Sequence, residues 1–457
     1  MSLRRLSGVA ILLALGGTSA GAAPAIAQDA HFWTLQYGPR SSLLGGAVIG
    51  SVDDVSATFY NPGAVSLASD LAFAVSTDVF EYSSIALEDG GGSGIDLGTA
   101  KTGLRPSLVA GTITRNLFGG SGVLAYSALT RSRGTQDLAG GVFLTADDLP
   151  PDAGLENAVG SVDFTGRYND FWGGLTYSQG LGESFGLGVT WYGAVRSQNR
   201  QQQSVASLID DDGSGLSEID NLGGKYTTFR TLFKFGASFQ AGDLTGGATL
   251  TTPSIHISGS GELAVNRSTI GADTTALLAG VQTELPAEYR SPLSVGGGLA
   301  WRIGPARLHG SVEWFDKVDQ YVVIQGDSLY AQKPEGDGIV LDAVHEQSSV
   351  TNWGLGLEYQ INETFAGYVS YFTDNSALDD DLERIGLSIS PIDIATLTVG
   401  TDFVLRSARF TLGVGYGWGR AIDRELTDLL KREDESFEAT YVYQSIKLLF
   451  GFEIGVG

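Results

Sequence analysis

Few residues in this chain have the types and spacing that catalysis or metal binding requires. The chain contains no cysteine, which excludes a disulfide framework, a thiolate metal site and a cysteine nucleophile. Its four histidines lack the short spacings typical of zinc ligands, and no serine stands out as a hydrolase nucleophile on a strand-to-helix elbow with a base partner. The four histidines are His31, His256, His309 and His345. We therefore predict a protein that is not an enzyme and holds neither a metal nor an organic cofactor.

Five charged or titratable side chains fall on the polar faces of segments in which apolar and polar residues alternate. These residues are Lys234, Arg302, His309, Glu313 and Glu358. Two interpretations fit side chains of this kind. They bind the carboxylate head group of a ligand, or they form structural ion pairs with one another, as charges inside a closed sheet often do.

The composition narrows the class of protein further. The 457 residues include 64 glycines, about twice the number that average usage of roughly 7% predicts. Charged residues make up 18% of the chain, yet the net charge is −24. Because so few basic groups are available to neutralise phosphates, a nucleic-acid partner is excluded.

Strict alternation of apolar and polar residues indicates the elements that position these side chains. In the segment 352–361, Trp353, Leu355 and Leu357 share one face, while polar residues and glycine occupy the other. The segment 410–419 repeats the pattern. Runs of about ten residues suit strands that cross a bilayer at a tilt. Since a polar face cannot contact lipid, the sheet must close on itself. We predict an all-β fold, a transmembrane antiparallel β-barrel.

Counting such segments predicts about 14 strands, one of them over residues 243–258, and both termini on the periplasmic side. Helical spacing is shown by the three leucines Leu426, Leu429 and Leu430. It indicates a helix that forms the lip of a ligand site or one that merely covers the rim of the barrel.

Short turns are predicted near Gly119, Gly182, Gly242, Gly304, Asn362 and Ser407. Long acidic loops, expected outside the cell, are predicted near 88–100, 134–158, 201–224, 259–287, 326–346, 374–390 and 421–438.

The chain divides into three parts. Residues 1–27 combine Arg4 and Arg5 with a short apolar stretch and a small-residue cleavage site at Ala25–Ala27, as in a secretory signal peptide. Residues 28–69 precede the first strand and are mostly small and apolar. We predict that they plug the lumen of a barrel formed by residues 70–457.

The segment from Ser41 to Ser69 resembles the N-terminal hatch of FadL-type outer-membrane transporters, a family that includes the TodX-like aromatic hydrocarbon channels. The resemblance rests on a small-residue stretch, the acidic pair Asp53-Asp54 and the motif Asn61-Pro62. Gly63 departs from the alanine that follows in the family. A looser resemblance extends over most of the chain. It includes residues 285–286, 293–303, 312–314 and 384–388.

Membership of this family would imply a fourteen-stranded barrel with a hatch in its lumen, in the Gram-negative outer membrane. It would also imply passive uptake of long-chain fatty acids or other hydrophobic compounds, which leave sideways through a gap in the wall. The partners expected are hydrophobic small molecules and outer-membrane lipid, with the protein as a monomer. Gly119, Gly120 and Gly122 suit either the wall kink of the third strand or an ordinary tight turn.

The predicted gate is the bend at Asn61, Pro62 and Gly63. Proline fixes φ and glycine frees it, so the pair suits a defined bend that moves; a static turn inside the plug fits equally. The alternative function is a porin for small polar solutes, favoured by the glycine-bearing and charged inner faces but weakened by the plug. An outer-membrane hydrolase would need a Ser/His pair, and none is visible.

Overall fold

The computed structural model describes most of the chain after the predicted signal peptide. Residues 1–27 and residues 28, 29 and 69 of the predicted hatch lie outside the described part. None of the helices in that part has the length and apolar character that a membrane-crossing helix needs. The described residues are 30–68, 71–88, 97–117, 120–145, 155–210, 213–272, 274–334, 338–378, 392–405, 408–427 and 436–455.

Antiparallel strands dominate the described ranges, and short helices occur before the first strand. The helices are α1 (Pro39–Leu43), α2 (Ala57–Tyr60) and a 3-10 helix (Pro62–Ser66). The strands are β1 (Leu71–Glu88), β2 (Leu97–Leu117), β3 (Gly122–Thr145), β4 (Leu155–Leu181), β5 (Phe185–Asp210), β6 (Gly215–Ala241), β7 (Leu244–Thr251), β8 (Ile255–Gly271), β9 (Thr275–Pro286), β10 (Ser294–Ile303), β11 (Ala306–Phe315), β12 (Val318–Ile324), β13 (Ser328–Tyr330), β14 (Gly338–Val340), β15 (Ala343–Gln347), β16 (Val350–Gln360), β17 (Phe365–Asp374), β18 (Ile394–Leu405), β19 (Ala408–Thr427) and β20 (Ser436–Gly455).

One 16-stranded sheet forms the barrel, and the pairing of β5 with β6 closes it. Two small ribbons, β12–β15 and β13–β14, complete the strand pairing in the described part. The predicted all-β antiparallel barrel is confirmed, but the predicted count of about fourteen strands is wrong.

The two extra strands arise where a predicted strand divides and a predicted loop becomes a strand. The predicted strand 243–258 is split into β7 and β8, and Pro253 between them lacks the N–H that a continuous ladder needs. As a result, β6 pairs with β7 along one part of its length and with β8 along the other. Strand β9 lies in the predicted loop 259–287.

Strands β3 to β6 are much longer than predicted, at 24 to 27 residues, against about 9–11 needed to cross a bilayer. Most of the predicted loops 134–158 and 201–224 are therefore strand. Polar composition suggested loops there, but neighbouring strands keep pairing, as β4 and β5 do along their whole length. The predicted helix at 421–438 is also wrong where it is described, because β19 runs to Thr427 and β20 starts at Ser436.

The two faces of the sheet differ as the alternation predicted. Leu299 and Trp301 are each 56% exposed, whereas Ala300 between them is buried. Three of the predicted turns contain a glycine with φ between 58° and 72°, a left-handed conformation that favours glycine. These are Gly182, Gly242 and Gly304. Apolar side chains therefore cover the outside of the barrel, and small or polar residues line the inside.

Residues 30–68, here called the N-terminal segment, pack against the inner face of the strands. Glycines on that face let the two backbones approach closely. A Cβ atom at Gly188 would lie 2.3 Å from the carbonyl oxygen of Pro62, and one at Gly298 would lie 2.7 Å from the amide nitrogen of Gly50. Much of the glycine excess on the inner face thus accommodates this segment.

A valine at Gly188 should therefore destabilise the protein, whereas a valine at Gly193 should not. Both glycines are in β5, but a Cβ at Gly193 meets no atom within 4 Å. Overpacking of this kind costs about 1–3 kcal/mol. Thermal unfolding in detergent, followed by heat-dependent electrophoretic mobility, measures the difference. Equal unfolding temperatures for G188V and G193V would contradict the close approach.

Candidate functional site: a cavity inside the barrel

The predicted gate residues are fully enclosed and bonded to the wall. Asn61 Nδ2 donates to the carbonyl oxygens of Ile49 and Ala237, each at 2.9 Å, and its Oδ1 accepts a hydrogen bond from Gly63 N at 3.1 Å. Pro62 is the first residue of the 3-10 helix. The bend thus joins two parts of the N-terminal segment and attaches both to β6.

The beginning of the N-terminal segment is held by side chains from three strands. The carboxylate of Asp374 accepts hydrogen bonds from Phe32 N (3.0 Å), Trp33 N (2.7 Å) and Thr34 Oγ1 (2.6 Å). Arg131 Nη1 donates to the Phe32 carbonyl oxygen at 2.6 Å. Lys447 Nζ donates to the Thr34 carbonyl oxygen at 3.0 Å. These bonds fix residues 32–34 beside a cavity.

This cavity has a volume of about 40 Å³ and lies between the N-terminal segment and β3, β4, β6, β7, β10 and β11. Most of its large lining side chains are aromatic, and four are charged. The aromatic and histidine side chains are His31, Phe32, Phe59, Trp172, Tyr289 and Phe315. The charged ones are Arg131, Asp170, Lys234 and Glu313.

Two cations face the aromatic rings of the cavity. The guanidinium carbon of Arg131 lies 5.9 Å from the ring centre of Phe32 and 5.7 Å from those of Phe59 and Trp172. Lys234 Nζ lies 4.5 Å from the ring centre of Phe59. At such distances the cation is attracted by the negative face of the ring.

The two carboxylates of the cavity are buried and hydrogen-bonded. Asp170 accepts from Trp172 Nε1 at 3.1 Å and also from Arg230 Nη2. Glu313 accepts from Trp33 Nε1 and from Ser294 Oγ, each at 2.9 Å. Lys234 Nζ lies 3.9 Å from Glu313 Oε1, so this contact is an ion pair without a hydrogen bond.

A second set of charges, here called the Arg40 cluster, consists of Arg40, Asp53, His309 and Glu358. Arg40 donates to Glu358 at 2.5 Å and to Asp53 at 3.1 Å, and His309 Nε2 lies 3.4 Å from Glu358. Burial disfavours the charge on Arg40, but the carboxylates of Asp53 and Glu358 hold its pKa well above the ordinary value. The cluster thus ties the N-terminal segment to β16 through the ion pair of Arg40 with Glu358, while a 2.7 Å hydrogen bond between Ser51 Oγ and His309 Nδ1 ties it to β11.

The five side chains predicted to face the lumen fall into three places. Lys234 and Glu313 meet at the cavity, while His309 and Glu358 belong to the Arg40 cluster. Arg302 is exposed at the end of β10, apart from both sets.

Sequence reasoning missed Arg40, Arg131 and Asp170. Arg40 could have been recognised from the sequence, because it is the only lysine or arginine in residues 28–69. Arg131 could not have been recognised from alternation, since a register shift between Thr130 and Ser132 interrupts the pattern there.

The backbone pairing of β2 with β3 is interrupted beside the cavity. Their pairing stops between Gly98↔Ala139 and Leu108↔Leu129, although each strand still pairs with its other neighbour. Within the described residues, no pair joins 99–107 to 130–138, and we call this stretch the wall gap. Two residues of the wall gap, Arg131 and Ser132, line the cavity. Gly120 is in the tight turn before β3, and Gly122 begins the strand; Gly119 is outside the described part.

The fold is similar to those of solved transporters. The toluene transporter TodX of Pseudomonas putida is 13% identical, with a TM-score of 0.60 over 92% of this chain and 99% of that one. The Ralstonia pickettii toluene transporter TbuX is 10% identical, with a TM-score of 0.56 over 92% and 99%. A Pseudomonas aeruginosa FadL homologue is 11% identical, with a TM-score of 0.52 over 93% and 99%. No protein-family model and no curated protein matches the sequence. The chain has the fold of these transporters, which confirms the predicted resemblance at the level of the fold.

Proposed function

We propose that this chain, with the fold of TodX-like and FadL-like transporters, is a Gram-negative outer-membrane channel for passive uptake of hydrophobic small molecules. The observation that carries the proposal is the aromatic cavity, enclosed by the N-terminal segment and adjoining the wall gap. Sites for small hydrophobic molecules are concave and mostly apolar, with a few polar groups that fix orientation. The substrates in question are fatty acids or hydrocarbons such as toluene.

Residues 28–69 act as a hatch in this proposal. The cavity of about 40 Å³ is much smaller than an engineered cavity of about 150 Å³ that binds benzene. A substrate therefore passes only when part of the lining moves. We assign the movable part to the N-terminal segment, with Asn61, Pro62 and Gly63 as the bend about which it shifts.

Release occurs through the wall gap in this proposal. The N-terminal segment packs against the inner faces of β5, β6 and β10, so a straight path through the lumen is obstructed. The wall gap interrupts the pairing of β2 with β3 and shares Arg131 and Ser132 with the cavity. The substrate thus moves sideways into the surrounding outer-membrane lipid.

We assign the long ends of β3 to β6 to the outside of the cell and both termini to the periplasm. The ten-residue strands β10 and β11 match the thickness of a bilayer, and the exposed apolar face suits contact with lipid. The barrel acts as a monomer. The porin alternative receives less support, because the N-terminal segment occupies space that polar solutes would need.

Uptake of labelled toluene and labelled oleate tests the proposal. Cells that lack their own transporters would be compared with and without this protein, with surface expression verified. Protein-dependent entry of either compound supports the channel and identifies the class of substrate. If neither compound enters while small sugars do, the porin alternative replaces it.

A tryptophan at Ser132 should reduce this uptake severalfold, because it would fill the wall gap where it meets the cavity. Ser197 provides the matched control, since it is an exposed serine of β5 that lies outside the wall gap. Uptake would be measured at equal surface expression of S132W and S197W. Unchanged uptake by S132W would mean that the substrate leaves by another route.

A further inference from the structure

We propose that the preferred ligand of the cavity is an aromatic ring bearing a carboxylate, with the carboxylate bound by Lys234. This inference rests on the proposed function, because it names the substrate class of the same cavity. It differs from uptake of a pure hydrocarbon, which offers no hydrogen-bond acceptor, and from uptake of a long aliphatic chain.

Lys234 is the residue with unused donors. Its side chain is 4% exposed, and an ammonium group offers three N–H donors. Within the described residues, the only contacts of Nζ are the 3.9 Å ion pair with Glu313 and the approach to the Phe59 ring. Neither contact is a hydrogen bond. Because a buried charge without hydrogen bonds is costly, this ammonium favours a ligand that supplies an acceptor.

The two carboxylates of the cavity already accept hydrogen bonds from other donors. Asp170 already accepts from Trp172 and Arg230, and Glu313 already accepts from Trp33 and Ser294. The hydrogen-bonding groups that remain unsatisfied at Lys234 are therefore its N–H donors, which need an acceptor from a ligand.

The shape of the cavity favours a single aromatic ring. The Phe32 ring stacks on Phe315, with ring centres 4.2 Å apart and planes at 11°, and it also faces Arg131. An aromatic ligand that displaces Phe32 recovers both the stacking and the cation–π contact. A saturated ring or an aliphatic chain recovers neither contact.

Binding measurements on the purified full-length protein in detergent test the inference. The probes are benzoate, toluene and cyclohexanecarboxylate, titrated by calorimetry. We expect benzoate to bind most tightly. Replacing Lys234 by methionine should weaken benzoate binding about 10- to 100-fold, since hydrogen bonds to charged groups contribute strongly, and should leave toluene binding nearly unchanged. K234R, which keeps the charge, should recover part of the loss.

Two controls separate ligand recognition from a structural role. Lys225 is an exposed lysine of the same strand, paired with Glu262, and K225M should bind all three probes like the wild type. If Lys234 only neutralises Glu313, K234M weakens benzoate and toluene equally, and the inference fails.

The outcomes also distinguish this inference from the proposed function. Tight toluene binding without benzoate binding overturns the inference and leaves the channel intact. Failure of all three probes to bind, together with failure of toluene and oleate uptake in cells, overturns both.

Discussion

Deletion of residues 30–66 is expected to convert a closed barrel into a water-filled pore. These residues account for most of the N-terminal segment, and their backbone lies against glycines of β5, β6 and β10. Glycines have no side chains to fill the space that the deletion would leave, and barrels of this size enclose an aqueous channel when nothing fills them. We expect porin-like single-channel currents in planar bilayers, where the wild type gives none.

Correct folding must be shown for the deletion variant before its currents are interpreted. Heat-dependent electrophoretic mobility provides this control, and swelling of liposomes in sugar solutions provides an independent readout of the pore. A folded variant that stays closed to ions and sugars would show that the N-terminal segment does not block the lumen. Equal swelling with the wild-type protein would favour a porin.

Replacement of Arg40 by methionine is expected to be the most destabilising single substitution in the N-terminal segment. The side chain is 2% exposed and contacts the carboxylates of Asp53 and Glu358. Its removal leaves Glu358, whose side chain is 17% exposed, without its closest cation, and breaking a buried ion pair costs about 3–5 kcal/mol. We expect lower unfolding temperatures and faster proteolysis within residues 30–68.

The pair Arg267–Asp220 is the matched control for this prediction. It has a 2.8 Å contact, but the Arg267 side chain is 33% exposed, against 2% for Arg40, and an ion pair that solvent reaches contributes less than a buried one. R267M should therefore unfold close to the wild-type temperature. The double variant R40M/E358Q should regain part of the stability lost in R40M, because it removes one carboxylate left without its partner. Equal effects of R40M and R267M would mean that the Arg40 cluster does not hold the N-terminal segment in place.

The loop and strand boundaries show where local composition misleads. The segment 201–224 contains five acidic residues and no basic one, which is typical of exposed loops, yet residues 201–210 and 215–224 belong to β5 and β6. In the proposed orientation these strand ends project from the membrane and no longer need an apolar face, but their backbones still pair with their neighbours. The polar composition therefore reflects the aqueous surroundings of these residues. Their conformation is decided by hydrogen bonds to the neighbouring strands of the sheet.

The amino-acid sequence by itself determined the closed all-β architecture and the apolar outer face. Both follow from a period of two residues, which is a local property that each strand carries independently. Only the tertiary structure decided which inner side chains meet. Arg40 and Glu358 are 318 positions apart, and the register shift in β3 sets the position of Arg131. Strand register, bulges and the path of the N-terminal segment are properties of the closed barrel, so alternation along one strand cannot specify them.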